Sequence, residues 1–201
     1  MKVKNIIFDM GGVLINLDQQ RCMDSFKKLG FKDIETYIDP YTQEGFFSDF
    51  ETGNMSNEEF FARAKANCRP GVTDEEITSA WNSFLLDIPK KKLDQISELR
   101  KNFKTFLLSN TNALHFPWIC EKYHFEEYFD KCYTSYRVHY VKPDPRIFSH
   151  LLKDAGIKAS ESLFIDDSPA NIAAASNLGF NTHLAKEKED FTQLFLTLQP
   201  L

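Results

Sequence analysis

Residues 3–14 of the 201-residue chain read VKNIIFDMGGVL, and this stretch decides the fold. Its first half, VKNIIF, is a short apolar run rich in β-formers, and it ends at Asp9 and the pair Gly11-Gly12. Such a run followed by turn-forming residues is typical of a buried strand that breaks into a turn. The stretch therefore predicts an interior strand with a carboxylate at its end.

Further strands are predicted along the chain, separated by helical patterns. They lie at residues 105–108, 132–135, 162–165 and 182–184. Strands that alternate with helices form a mostly parallel sheet covered on both faces. The fold class is therefore predicted to be α/β.

Proline marks the start of several predicted helices. Pro89 is a plausible first helical residue, and Asp144-Pro145 and Ser168-Pro169 each combine an N-cap with proline at the next position. The last of these helices is alanine-rich and should stop near Gly179.

The stretch from residue 17 to 87 breaks the alternation, because it contains few strand signals. Ser56-Asn57-Glu58-Glu59 and Thr73-Asp74-Glu75-Glu76 both match the capping box that begins a helix. We therefore predict a small helical module at 17–87, inserted after the first strand of a core formed by 1–16 and 88–201.

Composition excludes several classes of protein. The formal net charge is −5 and basic residues form no long runs, so neither nucleic acid nor an anionic membrane surface is expected as a partner. No apolar stretch approaches the roughly 20 residues of a membrane span. The four cysteines are far apart in the sequence, which favours reduced thiols in a cytoplasmic protein.

Polar groups follow the predicted strands where a parallel sheet binds ligands, outside the carboxyl ends of its strands. Asp9 follows the first strand, Ser109-Asn110 the second and Asp166-Asp167 the fourth, while Lys142 lies in a loop before the Asp144-Pro145 helix. Together they supply a carboxylate that can attack, groups that bind oxygen, a cation, and a carboxylate pair suited to a hard metal ion.

Phosphoryl transfer requires this set of groups. The transferred group is anionic, so its charge must be neutralised before a carboxylate can approach it. Mg²⁺ with carboxylate ligands and a lysine can do this, and hydroxyl and backbone N–H groups can hold the remaining oxygens. An aspartate nucleophile then divides hydrolysis into two steps through an aspartyl-phosphate.

The same residues resemble the four motifs of the haloacid dehalogenase superfamily, in the right order and across nearly the whole chain. The matching segments are residues 8–14 (FDMGGVL), 107–110 (LLSN), 142–145 (KPDP) and 164–168 (FIDDS), with Asn171 downstream. This resemblance implies a Rossmann-like, doubly wound core with a small helical cap. The insert, notably residues 50–56 (FETGNMS), is similar to the caps of α-glucose-1-phosphate phosphatases and of the N-terminal phosphatase domain of epoxide hydrolases.

The resemblance also implies a role for each matching residue. Asp9 would attack phosphorus and bind Mg²⁺, together with the backbone carbonyl of Gly11 and with Asp167, while Asp166 would be a ligand or lie behind the ligands. The phosphoryl oxygens would be held by Ser109, Asn110, Lys142, Met10 and Gly11. The implied activity is hydrolysis of a small phosphate monoester such as a sugar phosphate.

Gly11 departs from the pattern of most phosphatases of the superfamily, which carry an aspartate two residues after the nucleophile as general acid and base. Loss of such a step often costs about 10²–10⁴-fold in rate. Asp18 or His115 is a possible substitute. An easily expelled leaving group, such as an anomeric oxygen, is another way to relax the need for an acid.

Two other functions are compatible with Gly11. A 2-haloacid dehalogenase would use the same aspartate to attack carbon without a metal, and a non-catalytic descendant would only bind ligands. The pair Asp166-Asp167 favours a metal and therefore phosphate. In the insert, Arg21, Phe46, Phe47 and Trp81 are candidates for contacting the substrate; the oligomeric state is unknown.

Overall fold

The computed structural model describes residues 2–39 and 43–200. Its strands are β1 (Lys2–Val3), β2 (Asn5–Phe8), β3 (Lys104–Ser109), β4 (Lys131–Thr134), β5 (Ser162–Asp166), β6 (Asn181–Leu184) and β7 (Gln199–Pro200). The helices are α1 (Gln19–Lys28), α2 (Gly45–Glu51), α3 (Asn57–Asn67), α4 (Asp74–Asn82), α5 (Lys90–Leu99), α6 (His115–Tyr123), α7 (Ser135–Val138), α8 (Pro145–Ala155), α9 (Pro169–Asn177) and α10 (Thr192–Leu196).

The central sheet contains five parallel strands in the order β4-β3-β2-β5-β6. Along β2, Ile6 and Phe8 belong to one hydrophobic cluster, while Ile7 belongs to a second cluster on the opposite face. This alternation places apolar side chains on both faces, which the flanking helices cover. The α/β class and the doubly wound parallel sheet are therefore confirmed.

The first predicted strand is interrupted in the structure. Lys4 separates β1 from β2: its backbone N–H bonds to the carbonyl of Glu161 and its carbonyl accepts from Lys104, so its bonds lie beside the partners of β2 and not beside β7. β1 instead pairs with β7, a two-stranded sheet that sequence patterning did not predict.

The strand order places the reversal of the doubly wound sheet beside β2. From β2 the chain adds β3 and β4 on one side and β5 and β6 on the other. Phe8 pairs with Leu107 and with Ile165, so the residues that follow β2, β3 and β5 emerge at the same level. Ligands bind at such a crevice because neighbouring loops diverge there.

The insert consists of helices, as expected, and its interior is aromatic. Phe47 contacts the rings of Phe26, Phe60 and Trp81, with ring centroids between 4.9 and 5.7 Å apart. Aromatic pairs at such distances bury large apolar areas. The division of the chain at residues 16 and 88 stays a prediction.

Four of the five predicted helix starts are confirmed. Ser56 and Thr73 are the N-caps of α3 and α4, each with both hydrogen bonds of the capping box. Asp144 caps α8 with proline next to it, and α9 starts at Pro169 and ends two residues before Gly179. The prediction that Pro89 is the first helical residue is wrong by one position: α5 starts at Lys90, and Pro89 is its N-cap.

No helix among the described residues has both the length and the apolar character of a membrane span.

The turn after α2 is held by its backbone groups against α7, the helix that follows β4. Glu51 and Thr52 offer their carbonyls to Ser135 Oγ (2.7 Å) and His139 Nδ1 (3.1 Å). Gly53 has φ 71°, and a Cβ added there would lie 2.1 Å from the carbonyl oxygen of Tyr136. Both the positive φ and the close approach to Tyr136 therefore require glycine at this position.

We predict that Gly53→Ala destabilises the protein more than Gly71→Ala. Both glycines have left-handed backbones, which cost a non-glycine residue about 1–2 kcal/mol. An added Cβ at Gly71 would meet nothing within 4 Å, whereas at Gly53 it meets backbone, which adds about 1–3 kcal/mol. Urea unfolding of the two variants measures the difference, and equal losses of unfolding free energy would contradict the close approach.

Candidate active site

The site is centred on a buried lysine between two carboxylates. Lys142 Nζ lies 2.7 Å from Asp9 Oδ1 and 2.6 Å from Asp166 Oδ2, and all three side chains are almost fully excluded from solvent. Asp9 follows β2, Asp166 ends β5, and Lys142 lies between α7 and α8. The structure thus brings together groups predicted from three distant parts of the sequence.

Asp166 has a hydrogen-bond partner for each carboxylate oxygen. Its Oδ1 accepts from the backbone N–H of Ser168 (2.8 Å) and from Asn171 Nδ2 (3.0 Å), while Oδ2 accepts from Lys142 and Asn171. A buried carboxylate needs such donors to offset the loss of water. Asp166 therefore holds Lys142 in place and has little remaining capacity for another ligand.

Asp167 lies beside these groups and is only partly buried. Oxygen atoms of Asp9, Asp166 and Asp167 can be chosen that all lie within 4.8 Å of one another. A Cβ on Gly12, whose φ is 68°, would lie 2.1 Å from Asp167 Oδ2, so the glycine makes room for this carboxylate. Carboxylates this close suit a hard divalent cation such as Mg²⁺, which the chemistry of the donor set fits.

Burial and charge shift the pKa values of the central groups. Burial raises the pKa of the Asp9 carboxyl to about 7; Lys142 opposes this shift, and the negative charges of Asp166 and Asp167 add to it. Burial alone would lower the pKa of Lys142, but the two adjacent carboxylates outweigh that effect and raise it. Lys142 therefore remains a cation at the centre of the site.

Asn110 positions the loop that carries Lys142. Its Oδ1 accepts from the backbone N–H of Lys142 (2.8 Å), and its Nδ2 donates to the carbonyl of the same residue (2.9 Å). Both ends of the Asn110 amide are thus used, and this residue lines the site next to Thr111. Ser109, the last residue of β3, is buried, and its hydroxyl donates to the carbonyl of Asn110 (3.2 Å).

The loop after Asp9 folds back on itself around Met10. The Met10 carbonyl accepts from the backbone N–H groups of Leu14 and Ile15, and Gly12 donates to the carbonyl of Ile15. Gly11 takes no part in these bonds and lines the site. Gly11 therefore borders the cavity, and its metal and phosphate contacts stay a prediction.

A cavity of about 80 Å³ lies between these groups and the helical insert. One wall is apolar: His115 stacks on Trp81 with ring centroids 4.4 Å apart and on Phe84 at 6.1 Å. Polar side chains of Gln43, Glu51 and Thr111 complete the lining. The insert thus closes over the end of the sheet that carries Asp9.

The family follows from the match between the chain and known proteins. A model of haloacid dehalogenase-like hydrolases matches residues 3–179. The chain belongs to this family.

Several haloacid dehalogenase-like proteins resemble the chain over its full length. A D-ribitol-5-phosphate phosphatase from Bacteroides thetaiotaomicron is 38% identical over 95% of this chain and 96% of its own. A crystal structure of a HAD family enzyme from the same organism, in complex with magnesium and inorganic phosphate, has a TM-score of 0.90 at 43% identity and covers 96% of this chain and 99% of its own. A HAD-like family hydrolase from Porphyromonas gingivalis has a TM-score of 0.89 at 36% identity, over 98% and 97% of the two chains.

The two predicted substitutes for an acid at Gly11 occupy different surroundings. Asp18 is the N-cap of α1, where it accepts from the backbone of Arg21, and it does not line the cavity. His115 lines the cavity, but its Nε2 lies 3.1 Å from the carbonyl of Trp81, and burial lowers its pKa to about 4. Because the His115 ring is neutral and bonded to a carbonyl, it lines the cavity but does not supply a proton to the leaving group.

Of the four residues predicted to contact the substrate, one lines the cavity and three do not. Trp81 lines the cavity, whereas Phe46 and Phe47 belong to the aromatic interior of the insert. Arg21 lies on a separate open groove beside Ser25 and Lys28. Helical spacing alone did not separate these cases, because it does not show which helix face meets the sheet.

Glu51, Gln43 and Thr111 were not predicted as site residues. The run of residues 50–56 marked the cap segment, but no local pattern showed that Glu51 would face Asp9. Thr111 follows the matched residues 107–110 directly, so extending that motif by one residue would have found it.

We predict that His115 makes the protein less stable in acid. Its pKa is about 4 in the folded protein and 6.5 ordinarily, so the unfolded chain binds the proton more readily between those values. The free energy of unfolding should fall by about 3 kcal/mol as the pH drops from about 6.5 to about 4, at 1.36 kcal/mol per unit. Chemical denaturation across this range should show a smaller fall for His115→Gln than for the wild type.

His150→Gln on the exposed face of α8 is the matched control and should follow the wild type. Parallel curves for wild type and His115→Gln would contradict a neutral, buried histidine.

Proposed function

We propose that this chain is a Mg²⁺-dependent phosphomonoester hydrolase that acts through an aspartyl-phosphate on Asp9. The observation that carries this proposal is the buried Lys142 between Asp9 and Asp166, with Asp167 adjacent. Such an arrangement offers a nucleophile, a fixed positive charge for phosphoryl oxygens and ligands for a hard cation. The family and the magnesium and phosphate bound by the Bacteroides enzyme support it.

The proposed Mg²⁺ ligands are Asp9, Asp167 and the backbone carbonyl of Gly11. Asp166 lies behind them, since its oxygens are already used by Ser168, Asn171 and Lys142. The bound cation would neutralise charge on the phosphoryl group and thus allow a carboxylate to approach it.

The protein's own groups then position the reacting atoms. Asp9 attacks phosphorus, the bond to the ester oxygen breaks, and Lys142 stabilises the negative charge on the phosphoryl oxygens. Met10, Gly11, Ser109 and Asn110 are proposed to hold the remaining oxygens. Because the side chain of Asn110 is bonded to the backbone of Lys142, Asn110 also holds the Lys142 ammonium group in position.

The proposed substrate is a small sugar or polyol phosphate. Gln43 Oε1 and Thr111 Oγ1 are buried and have no hydrogen-bond partner in the described part of the chain, so they are available to substrate hydroxyl groups. Trp81 and His115 provide a flat surface for the carbon chain. The relative named D-ribitol-5-phosphate phosphatase supports a polyol carrying a terminal phosphate.

We predict that Asp9→Asn abolishes turnover. The amide cannot form the aspartyl-phosphate, so kcat should fall by at least about 10³-fold on a panel containing ribitol 5-phosphate and glucose 1-phosphate. Release of inorganic phosphate measures the rates. Activity unchanged by the substitution would remove the proposed nucleophile, and faster hydrolysis of glucose 1-phosphate would favour an anomeric leaving group.

Removal of divalent cations should abolish the phosphatase activity reversibly. We expect EDTA to stop phosphate release and added Mg²⁺ to restore it, because the clustered carboxylates otherwise repel the phosphate. The same samples should release no chloride from 2-chloropropionate. Chloride release in EDTA would instead identify a dehalogenase, and bound phosphate without turnover of any ester would identify a binding protein.

A further inference from the structure

Gly11 leaves the proposed reaction without a proton donor on the strand that carries the nucleophile. Hydrolysis of a polyol phosphate expels an alkoxide, which is a poor leaving group unless it receives a proton. The second step then needs a base to activate water. The following inference rests on the proposed phosphatase function and concerns the group that moves these protons.

Glu51 is a carboxylic acid that the insert contributes to the cavity of the nucleophile. It is the last residue of α2, and it lines the cavity together with Asp9 and Lys142. The residue is half-buried. Among the described residues, this carboxyl group makes no hydrogen bond or ion pair, so it is available to a substrate or water.

Contacts with α7 and with the residue that follows it fix the backbone that carries Glu51. Its carbonyl is held by Ser135 Oγ, whose hydroxyl also accepts from the backbone N–H of Thr111. The next two residues are held by His139 and by the close approach of Gly53 to Tyr136. Glu51 is therefore tied to the part of the protein that carries the nucleophile, although it belongs to the inserted segment.

The charges around Glu51 allow it to hold and release a proton. Burial raises its pKa to about 7; the positive charge of Lys142 opposes the shift and the negative charge of Asp9 adds to it. Asp167 and the neutral His115 are the other titratable groups on the same cavity. A carboxyl group in such surroundings is present in both protonation states near neutral pH.

The other acidic groups of the site are already used. Asp9 is the nucleophile, Asp166 is saturated by hydrogen bonds, and Asp167 is adjacent to Gly12 among the proposed metal ligands. His115 is bonded to a backbone carbonyl. Glu51 is the carboxyl group on this cavity that no other contact occupies, within the residues that the structure describes.

We propose that Glu51 is the general acid and base of this enzyme. It would replace the aspartate that most phosphatases of the superfamily carry at the position of Gly11. In the first step Asp9 Oδ forms a bond to phosphorus, the P–O bond to the polyol breaks, and the Glu51 carboxyl gives its proton to the leaving oxygen. In the second step the Glu51 carboxylate takes a proton from water as the water oxygen attacks phosphorus. The P–O bond to Asp9 breaks, releasing phosphate and restoring the protonated Glu51.

The test is Glu51→Gln assayed with two esters. With ribitol 5-phosphate, kcat should fall by about 10²–10⁴-fold with little change in KM, because the alkoxide receives no proton. With p-nitrophenyl phosphate, whose leaving group needs no proton, rapid mixing should still show a burst of about one nitrophenolate per active site. Slow turnover should follow, because the aspartyl-phosphate is then not hydrolysed.

The burst also counts folded, competent sites, so loss of the fold is distinguished from loss of proton transfer. A change confined to KM, or a burst rate reduced as much as turnover of the polyol ester, would show that Glu51 only binds the substrate and would overturn the proposal. Activity that survives in Asp9→Asn would instead overturn the phosphatase mechanism itself.

Two further variants sharpen the result. Asp49→Asn, an exposed position on the same helix, is the matched control and should leave both rates unchanged. A Cβ at Gly11 would meet only the flexible end of Leu17, at 3.0 Å, so the Cβ of Gly11→Asp needs only a small shift of the Leu17 side chain. Adding Gly11→Asp to Glu51→Gln should recover at least about tenfold in kcat. A further loss in the double variant would count against a missing proton donor.

Discussion

The ion pair network of Lys142 with Asp9 and Asp166 is the interaction on which the rest of the site depends. An unpaired charge in this position would cost several kcal/mol, so the three groups require one another. Asp166 is satisfied by Asn171 and a backbone N–H, which makes it a rigid support rather than a free ligand. The lysine is thereby held against the nucleophile before any substrate arrives, which is the preorganisation that electrostatic catalysis needs.

The topology of the sheet explains why these groups meet. β2 lies between β3 and β5, and the reversal of strand order beside it opens a crevice at their carboxyl ends. Asn110 then uses both ends of its side-chain amide to bind the backbone of Lys142, which brings in the loop between α7 and α8. The carboxyl end of the sheet therefore carries a pocket with buried charged side chains.

The helical insert contributes the other half of the cavity. Its aromatic interior allows it to keep its own shape, and its contacts with Ser135, Tyr136 and His139 set its position on the sheet. Glu51 and Trp81 of the insert thus line the cavity together with Asp9, and Trp81 stacks there on His115 of the core. The sheet supplies the phosphate chemistry, and the proposed proton transfer and substrate selection come from the insert.

The amino-acid sequence by itself determined the α/β class, the starts of α3, α4, α8 and α9, and the set of polar groups at strand ends. These features depend on local patterns: apolar runs, capping residues, and the turn that follows each strand. Only the tertiary structure decided that Asn110 binds the backbone of Lys142, that Asp166 is saturated, and that Glu51 faces the nucleophile. The contact between Asn110 and Lys142 joins residues 32 positions apart, and the one between Lys142 and Asp166 joins residues 24 positions apart. The placement of Glu51 depends on which side of a helix meets the sheet. Periodicity within one segment carries no information about either kind of contact.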